Sequence, residues 1–152
     1  RSQTTNTEGK EMKYKAQCTC GSVEVELKTD PFQQLLCHCK NCRSWSAAPV
    51  TSVCLFKPED VEIKKGNELV RRYEPNKGHL KCWCANCGGH LMNDHTNGYG
   101  FIDVYGSLIE NFTFVPTAHL NYESTIMRMK DGLPKFKDFP SEFGGSGEFL
   151  DD

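Results

Sequence analysis

The clearest pattern along the chain is an alternation of apolar and polar residues over 22–27. Successive side chains of a strand point to opposite faces, so this period of two predicts a strand with one buried face and with glutamates facing water. Gly21 before it is typical of a turn, because glycine adopts a positive φ without steric cost. A preceding strand is predicted over residues 13–17.

Other short segments, rich in aromatic or β-branched residues, indicate further strands. They are residues 51–56, 61–63, 69–73, 80–84 and 101–105. Proline and glycine interrupt the chain between them, as is typical of turns. Only residues 40–48, which Pro49 ends, could hold a helical turn. The pattern therefore predicts a mainly β fold with short helical turns.

Length and composition indicate one domain. With 152 residues, of which 38% are hydrophobic and 11% aromatic, the chain can bury one sizeable core. We expect the domain to span residues 11–140. Residues 1–10 and 141–152 are expected to be flexible tails, since the Gly-Gly-Ser-Gly run at 144–147 is typical of a linker.

Charge and hydropathy argue against several classes of protein. A net charge of −2 offers no basic surface for nucleic acid. No apolar stretch approaches the roughly 20 residues that cross a bilayer, and the first residues lack the pattern of a secretory signal. We therefore expect a cytoplasmic protein without nucleic-acid or membrane partners, in a reducing compartment where thiols stay free to bind metal.

Cysteine is the main chemical signal, with nine residues in the chain. Eight of them fall into three short clusters. These are Cys18 and Cys20, then Cys37, Cys39 and Cys42, then Cys82, Cys84 and Cys87. A disulfide scaffold usually spreads its bridges through a much shorter chain, and an odd count leaves one thiol unpaired. The clustering indicates metal binding.

The first and last clusters together suit one closed metal site. On a strand, Cys18 and Cys20 point to the same face. Cys84 and Cys87 have the spacing of a metal knuckle, in which Gly88 lets the backbone pass close to the ion. Four thiolates complete a tetrahedron, so we interpret this set as a structural zinc site rather than as ordinary buried cysteine.

The middle cluster offers only three thiols, from Cys37, Cys39 and Cys42. Zinc with three protein ligands and an open position is typical of a site that binds water or substrate. Three thiolates make the centre formally negative and a poor Lewis acid toward water, so a substrate thiol suits the open position better. Alternatives are a redox cluster or a second structural site. The fourth ligand of such a structural site would be Cys54, Cys82 or His38.

The order of these motifs resembles the glutathione-dependent formaldehyde-activating enzyme family. The likeness covers roughly residues 14–140 and extends beyond the cysteines to Phe56, Leu108, Pro116 and His119. It implies an Mss4-like zinc-bound β-sheet fold, also called a β-tent, with two zinc ions per chain. By this resemblance one set of cysteines holds the structural zinc and the other the catalytic zinc. The structural set is Cys18, Cys20, Cys84 and Cys87, and the catalytic set is Cys37, Cys39 and Cys42.

The activity that the resemblance implies is that of a carbon–sulfur lyase, S-(hydroxymethyl)glutathione synthase, which condenses glutathione with formaldehyde. The partners would be a glutathione-like thiol and a small carbonyl compound. Lys40 and Arg43 flank the open site and could meet the carboxylates of glutathione. Two other classes stay open: a non-enzymatic, zinc-stabilised Mss4-like binding module with both metals structural, and a thiol redox protein.

The remaining cysteines and the histidines are expected to be structural. Cys54 and Cys82 lie outside the family pattern, and each is either a packed small hydrophobe or an extra metal ligand. His38 lies between two proposed ligands and would point away from them on an extended chain. None of the other histidines has ligand spacing. They are His79, His90, His95 and His119.

Overall fold

The computed structural model describes residues 11–152, so the expected tail at 1–10 lies outside the described residues. Within this range the regular elements are ten strands and one α-helix. The first strands are β1 (Tyr14–Gln17), β2 (Glu24–Leu27), β3 (Gln33–Cys37), β4 (Thr51–Phe56) and β5 (Val61–Lys65). The later ones are β6 (Val70–Asn76), β7 (His79–Cys84), β8 (His90–Asp94), β9 (Ile102–Tyr105) and β10 (Ala118–Leu120). Helix α1 (Lys40–Ser46) lies between β3 and β4.

The predicted mainly β fold is confirmed. Every predicted strand segment overlaps an observed strand, and residues 40–48 contain α1. The alternation over 22–27 becomes β2, in which Val25 and Leu27 are buried while Glu24 and Glu26 are half-buried. Burial of an apolar side chain of this size contributes about 1.5–3 kcal/mol. The sequence did not predict β3, β8 or β10.

The chain divides into two compact units, each built from separate parts of the sequence. Unit 1 contains the chain up to Phe32 together with Leu55–Thr113, and unit 2 contains Gln33–Cys54 and Phe114–Asp152. The expected domain over residues 11–140 stays a prediction.

Antiparallel pairing organises unit 1. Strands β1, β2 and β5 form a three-stranded antiparallel sheet, with β2 in the middle. Strands β6 to β9 follow one another as an antiparallel meander in the order β9-β8-β7-β6. Since each strand pairs with the next one along the chain, short connections join them, of which the longest spans residues 95–101. The turns after β1 and after β7 carry cysteines.

In unit 2, β3 lies between β10 and β4, and β10 pairs with β3 in parallel. The register sets His119 opposite Leu36 and Leu120 opposite Cys37. This parallel pairing brings residues about 80 positions apart in sequence next to the end of β3, where the middle cysteine cluster begins.

The end of the chain is hydrogen-bonded where the sequence predicts a flexible tail over 141–152. The N–H of Lys137 donates to the carbonyl of Glu148, and that of Leu150 donates to Lys135, each at 2.8 Å. The glycines of the linker-like run form a turn, with Gly144 at φ 87°. They reverse the chain so that it pairs with residues 135–137, and their composition alone does not distinguish such a turn from a linker.

No helix among the described residues has both the length and the apolar character needed to cross a membrane.

Candidate metal centres

Two tight turns of unit 1 present the first set of cysteines. The turn between β1 and β2 carries Cys18 and Cys20, and the N–H of Val23 donates to the sulfur of Cys18 at 3.4 Å. The turn after β7 carries Cys84 and Cys87. In it Gly88 has φ 75° and its N–H donates to the carbonyl of Cys84 at 2.8 Å. Both turns therefore bend their backbone around the sulfurs.

The four sulfurs of this set have the spacing of a tetrahedral zinc site. Cys18 and Cys20 place their Sγ atoms 3.6 Å apart, and those of Cys20 and Cys84 lie 3.8 Å apart. The ligand atoms of all four residues, Cys87 included, lie within 4.8 Å of one another. Zinc–sulfur bonds of about 2.3 Å at tetrahedral angles set the sulfurs about 3.8 Å apart. The donor set and its spacing both fit zinc.

Hydrogen-bond donors favour thiolates at the exposed side of this set. Contacts from Ser22 and then from the Asn86 side chain, whose Nδ2 donates at 3.3 Å, lower the pKa of Cys20 to about 5. Backbone hydrogen bonding also lowers the pKa of Cys87, whereas burial raises that of Cys84 to about 11. A bound cation would add to the N–H donors in compensating the charge of the buried sulfurs.

The second set lies in unit 2, where β3 ends and α1 begins. Cys37 is buried at the end of β3, whereas Cys39 and Cys42 are half-buried. Cys39 is also the N-cap of α1, because its sulfur accepts a hydrogen bond from the N–H of Cys42 at 3.1 Å. The sulfurs of Cys37 and Cys42 are 3.6 Å apart, and all three lie within 4.8 Å of one another.

Crowding of these three thiols opposes their ionisation together. The neighbouring Cys39 and burial raise the pKa of Cys37 to about 12. Contact with Cys37 and Cys39 likewise raises the pKa of the Cys42 thiol. A divalent cation would relieve the repulsion between the thiolates, so the chemistry of this donor set also fits zinc.

Among the described residues, no histidine, aspartate, glutamate or further cysteine joins the three cysteines of this second group as a fourth ligand. Cys54 and Cys82 are both buried in the core and lie outside both sets, and burial raises the pKa of Cys82 to about 11. His38, as expected, turns its ring away from the adjacent ligands, toward Thr125 and His119.

Two polar side chains that the sequence did not indicate donate to these sulfurs. Asn86 donates to Cys20 in the first set, and Asn121 donates to Cys37 in the second at 3.6 Å. Asn121 lies 84 residues from Cys37, and no local spacing connects the two. In α1, Arg43 donates from Nε to the carbonyl of His38 at 3.3 Å, while Lys40 is exposed.

The other histidines take part in contacts outside both cysteine sets. His79 and His95 have their Nδ1 atoms 2.7 Å apart, and Nε2 of His95 lies 3.0 Å from Asp103. His119 contacts Asp131 at 2.7 Å. Burial lowers the pKa of His90. None of the four joins a cysteine group among the described residues.

The protein is therefore of a mainly β, Mss4-like class with two compact cysteine sets that could hold metal ions. A family model described as "Glutathione-dependent formaldehyde-activating enzyme" matches residues 13–124, and the chain belongs to this family. A crystal structure of a Rhodobacter sphaeroides protein is similar in fold, with a TM-score of 0.54 and 20% sequence identity. The likeness covers 65% of this chain and 90% of the other. No curated protein matches the chain.

Proposed function

We propose that the protein is a zinc-dependent carbon–sulfur lyase or synthase, resembling S-(hydroxymethyl)glutathione synthase, that acts in the cytoplasm. Its substrates would be a glutathione-like thiol and a small carbonyl compound. Membership of the formaldehyde-activating family supports the reaction class. The observation that carries the proposal is the three-sulfur group, which no fourth ligand from the described residues completes.

The two cysteine sets would have different roles. Cys18, Cys20, Cys84 and Cys87 supply four sulfurs and would hold a structural zinc that the chain itself saturates. Cys37, Cys39 and Cys42 supply three and would hold the catalytic zinc. Zinc bound there would leave one ligand position for a thiol sulfur, whose pKa coordination would lower.

The chain's own residues would bind and orient the substrates. Cys37 is buried, while Cys39 and Cys42 are half-buried, so two of the three cysteines are partly exposed. Lys40 and Arg43, one helical turn apart on α1, lie on either side of Cys42 in the sequence and would supply positive charge for the carboxylates of a glutathione-like thiol.

The proposed reaction adds the thiol to the carbonyl compound. A bond forms between the thiol sulfur and the carbonyl carbon, the carbonyl π bond breaks, and the hydrogen of the thiol ends on the carbonyl oxygen. Atoms and electrons balance without an oxidant or reductant. Holding the two reactants together would supply most of the acceleration, by removing the entropy cost of their encounter.

Metal counting and cobalt spectroscopy test this proposal. We expect about two zinc ions per chain by native mass spectrometry. In the cobalt-substituted protein, added glutathione should change the absorption of one metal ion and leave the other unchanged. Cys42→Ser, which removes one thiol of the second set, should lose this change in absorption. Cys54→Ala, at a cysteine outside both sets, should keep it.

Activity is followed as the rate at which glutathione, formaldehyde and the adduct approach equilibrium, above the uncatalysed rate. Cys42→Ser should remove that excess rate. If glutathione perturbed neither cobalt ion, the chain would be a zinc-stabilised binding module with both metals structural, and the proposed activity would be wrong.

A further inference from the structure

A chain of hydrogen bonds runs through two buried histidines next to the second cysteine set, within unit 2. Oγ1 of Thr125 lies 2.8 Å from Nδ1 of His38, whose Nε2 is 2.8 Å from Nδ1 of His119. Nε2 of His119 is 2.7 Å from Asp131, and Lys135 donates to the other oxygen of that carboxylate at 2.9 Å. Both histidines are 0% exposed.

When both imidazole rings are neutral, the hydrogen bonds of this series can donate in only one direction. The carboxylate of Asp131 only accepts, so His119 carries its hydrogen on Nε2 and accepts at Nδ1. His38 must then donate from Nε2 and accept at Nδ1, which leaves the hydroxyl of Thr125 as the donor. In this arrangement the single hydrogen of the Thr125 hydroxyl points to His38, although the carbonyl of Met127 lies 2.9 Å from the same oxygen, and that oxygen accepts from the N–H of Met127 at 3.1 Å. Every polar atom of the two buried rings has a partner, as burial requires.

Residue 38 is held by its backbone as well as by its ring. Its N–H donates to the carbonyl of Leu120 at 3.0 Å, and its own carbonyl accepts from Arg43. Both imidazoles also pack against the ring of Tyr122 in a T-shaped arrangement, with centroids 4.9 Å from His38 and 5.4 Å from His119. His38 is therefore held by its backbone N–H and carbonyl, by both ring nitrogens and by this ring contact.

This fixation has a consequence for the thiols on either side of residue 38. In an extended segment, the side chains of residues 37 and 39 point opposite to that of residue 38. Turning the ring of His38 into the chain of hydrogen bonds therefore turns Cys37 and Cys39 together toward Cys42. If the His38 side chain had no fixed partners, the orientation of residues 37–39 would not be set, and their sulfurs would not be directed toward that of Cys42.

We propose that Thr125, His38, His119 and Asp131 are positioning residues, which orient the Cys37–Cys42 loop so that its three thiols meet at one metal ion. The inference rests on the metal-binding part of the proposed function. It assigns these residues no contact with substrate. Partners behind metal ligands typically change metal affinity 10- to 100-fold when they are removed.

The test removes the hydroxyl of Thr125, the donor at one end of this series of hydrogen bonds, while the volume of the side chain stays nearly the same. Thr125→Val removes the hydroxyl and leaves Nδ1 of His38 without a donor, whereas Thr125→Ser keeps the hydroxyl. Thr113→Val, at an exposed threonine, is the matched control. Each zinc-loaded protein is mixed with a chromogenic chelator, and the release of its two metal ions is followed in time. Cys42→Ser, which keeps only the four-sulfur set, identifies the release phase of that set.

We expect Thr125→Val to accelerate release from the three-sulfur set about 10- to 100-fold. The phase of the four-sulfur set should not change, and Thr125→Ser and Thr113→Val should behave as the wild type does. Unchanged release in Thr125→Val would overturn the inference and leave the proposed function intact. Equal acceleration of both phases would also overturn it, because these hydrogen bonds would then stabilise the whole fold rather than the three-sulfur set. A wild type with one release phase would instead remove the proposed function.

Discussion

At the scale of single residues, Cys39 has two structural roles. Its sulfur belongs to the three-sulfur set, and the same sulfur accepts the hydrogen bond that caps α1. Capping side chains are usually oxygen acceptors such as serine, and a sulfur in this position joins the start of the helix to the three-sulfur set. The two roles can be separated because serine can cap a helix but is a poor zinc ligand.

We predict that Cys39→Ser holds about one zinc ion per chain rather than two, with its fold intact. Cys39→Ala should lose the same ion and in addition the cap, which costs about 1 kcal/mol of the free energy of unfolding. Mass spectrometry counts the metal, and urea denaturation compares the two variants. Two zinc ions retained in Cys39→Ser would contradict the assignment of this residue as a ligand.

At the scale of elements, the turn between β5 and β6 depends on a glycine for two reasons. Gly66 has φ 78°, a conformation that other residues adopt only with strain. A Cβ atom there would lie 2.1 Å from the carbonyl oxygen of Ser22, which is backbone and cannot rotate aside. The glycine therefore permits close approach of two backbone segments in unit 1 as well as the turn itself.

The cost of the positive φ and the cost of the close contact with Ser22 can be measured separately. Gly100→Ala introduces a similar positive φ, 86°, with no atom within 4 Å of the new Cβ, so only backbone strain of about 1–2 kcal/mol is expected. Gly66→Ala should lower the free energy of unfolding by a further 1–3 kcal/mol or so, because it adds overpacking. Denaturant titration of both variants gives the difference. If Gly66→Ala and Gly100→Ala destabilised the protein equally, the backbone near Ser22 would move to admit the new Cβ without a loss of stability.

At the scale of the whole molecule, the two metal sets would act as cross-links of very different span. Cys20 and Cys84 are 64 residues apart, whereas Cys37 and Cys42 are only five apart. By loop-closure entropy, a link across 64 residues restricts the unfolded chain by about 4 kcal/mol, and one across five by about 2 kcal/mol. The four-sulfur set should therefore contribute more to folding, and the three-sulfur set is freer to exchange its ligands.

Thermal unfolding tests this difference. A double variant, Cys84→Ser with Cys87→Ser, leaves two cysteines in its set, as Cys42→Ser does in the other. It should lower the melting temperature of the zinc-loaded protein about 4–8 °C more than Cys42→Ser does, since about 2 kcal/mol separates the two cross-links. Treatment of all three proteins with a strong chelator should remove most of the difference between the variants. If both variants had the same melting temperature, the four-sulfur set would not be the structural centre of the chain.

Local patterns along the sequence were enough to predict most of the elements. The period of two over 22–27 predicts β2, and the cysteine spacings indicate both metal sets, because side chains two or three residues apart meet within one turn or strand. The unpredicted strands have no such pattern. Gln33–Cys37 is polar at one end and buried at the other, and in His90–Asp94 the polar Asn93 is buried together with its neighbours Leu91 and Met92, so burial does not alternate.

The sequence by itself therefore determined the class of fold, the two cysteine groups and the family. Only the tertiary structure decided which distant residues support those cysteines. Asn121 reaches Cys37 across 84 residues, and His119 meets His38 across 81. The physical reason is that local spacing controls contacts within one strand or turn, whereas the parallel pairing of β10 with β3 depends on how the elements pack.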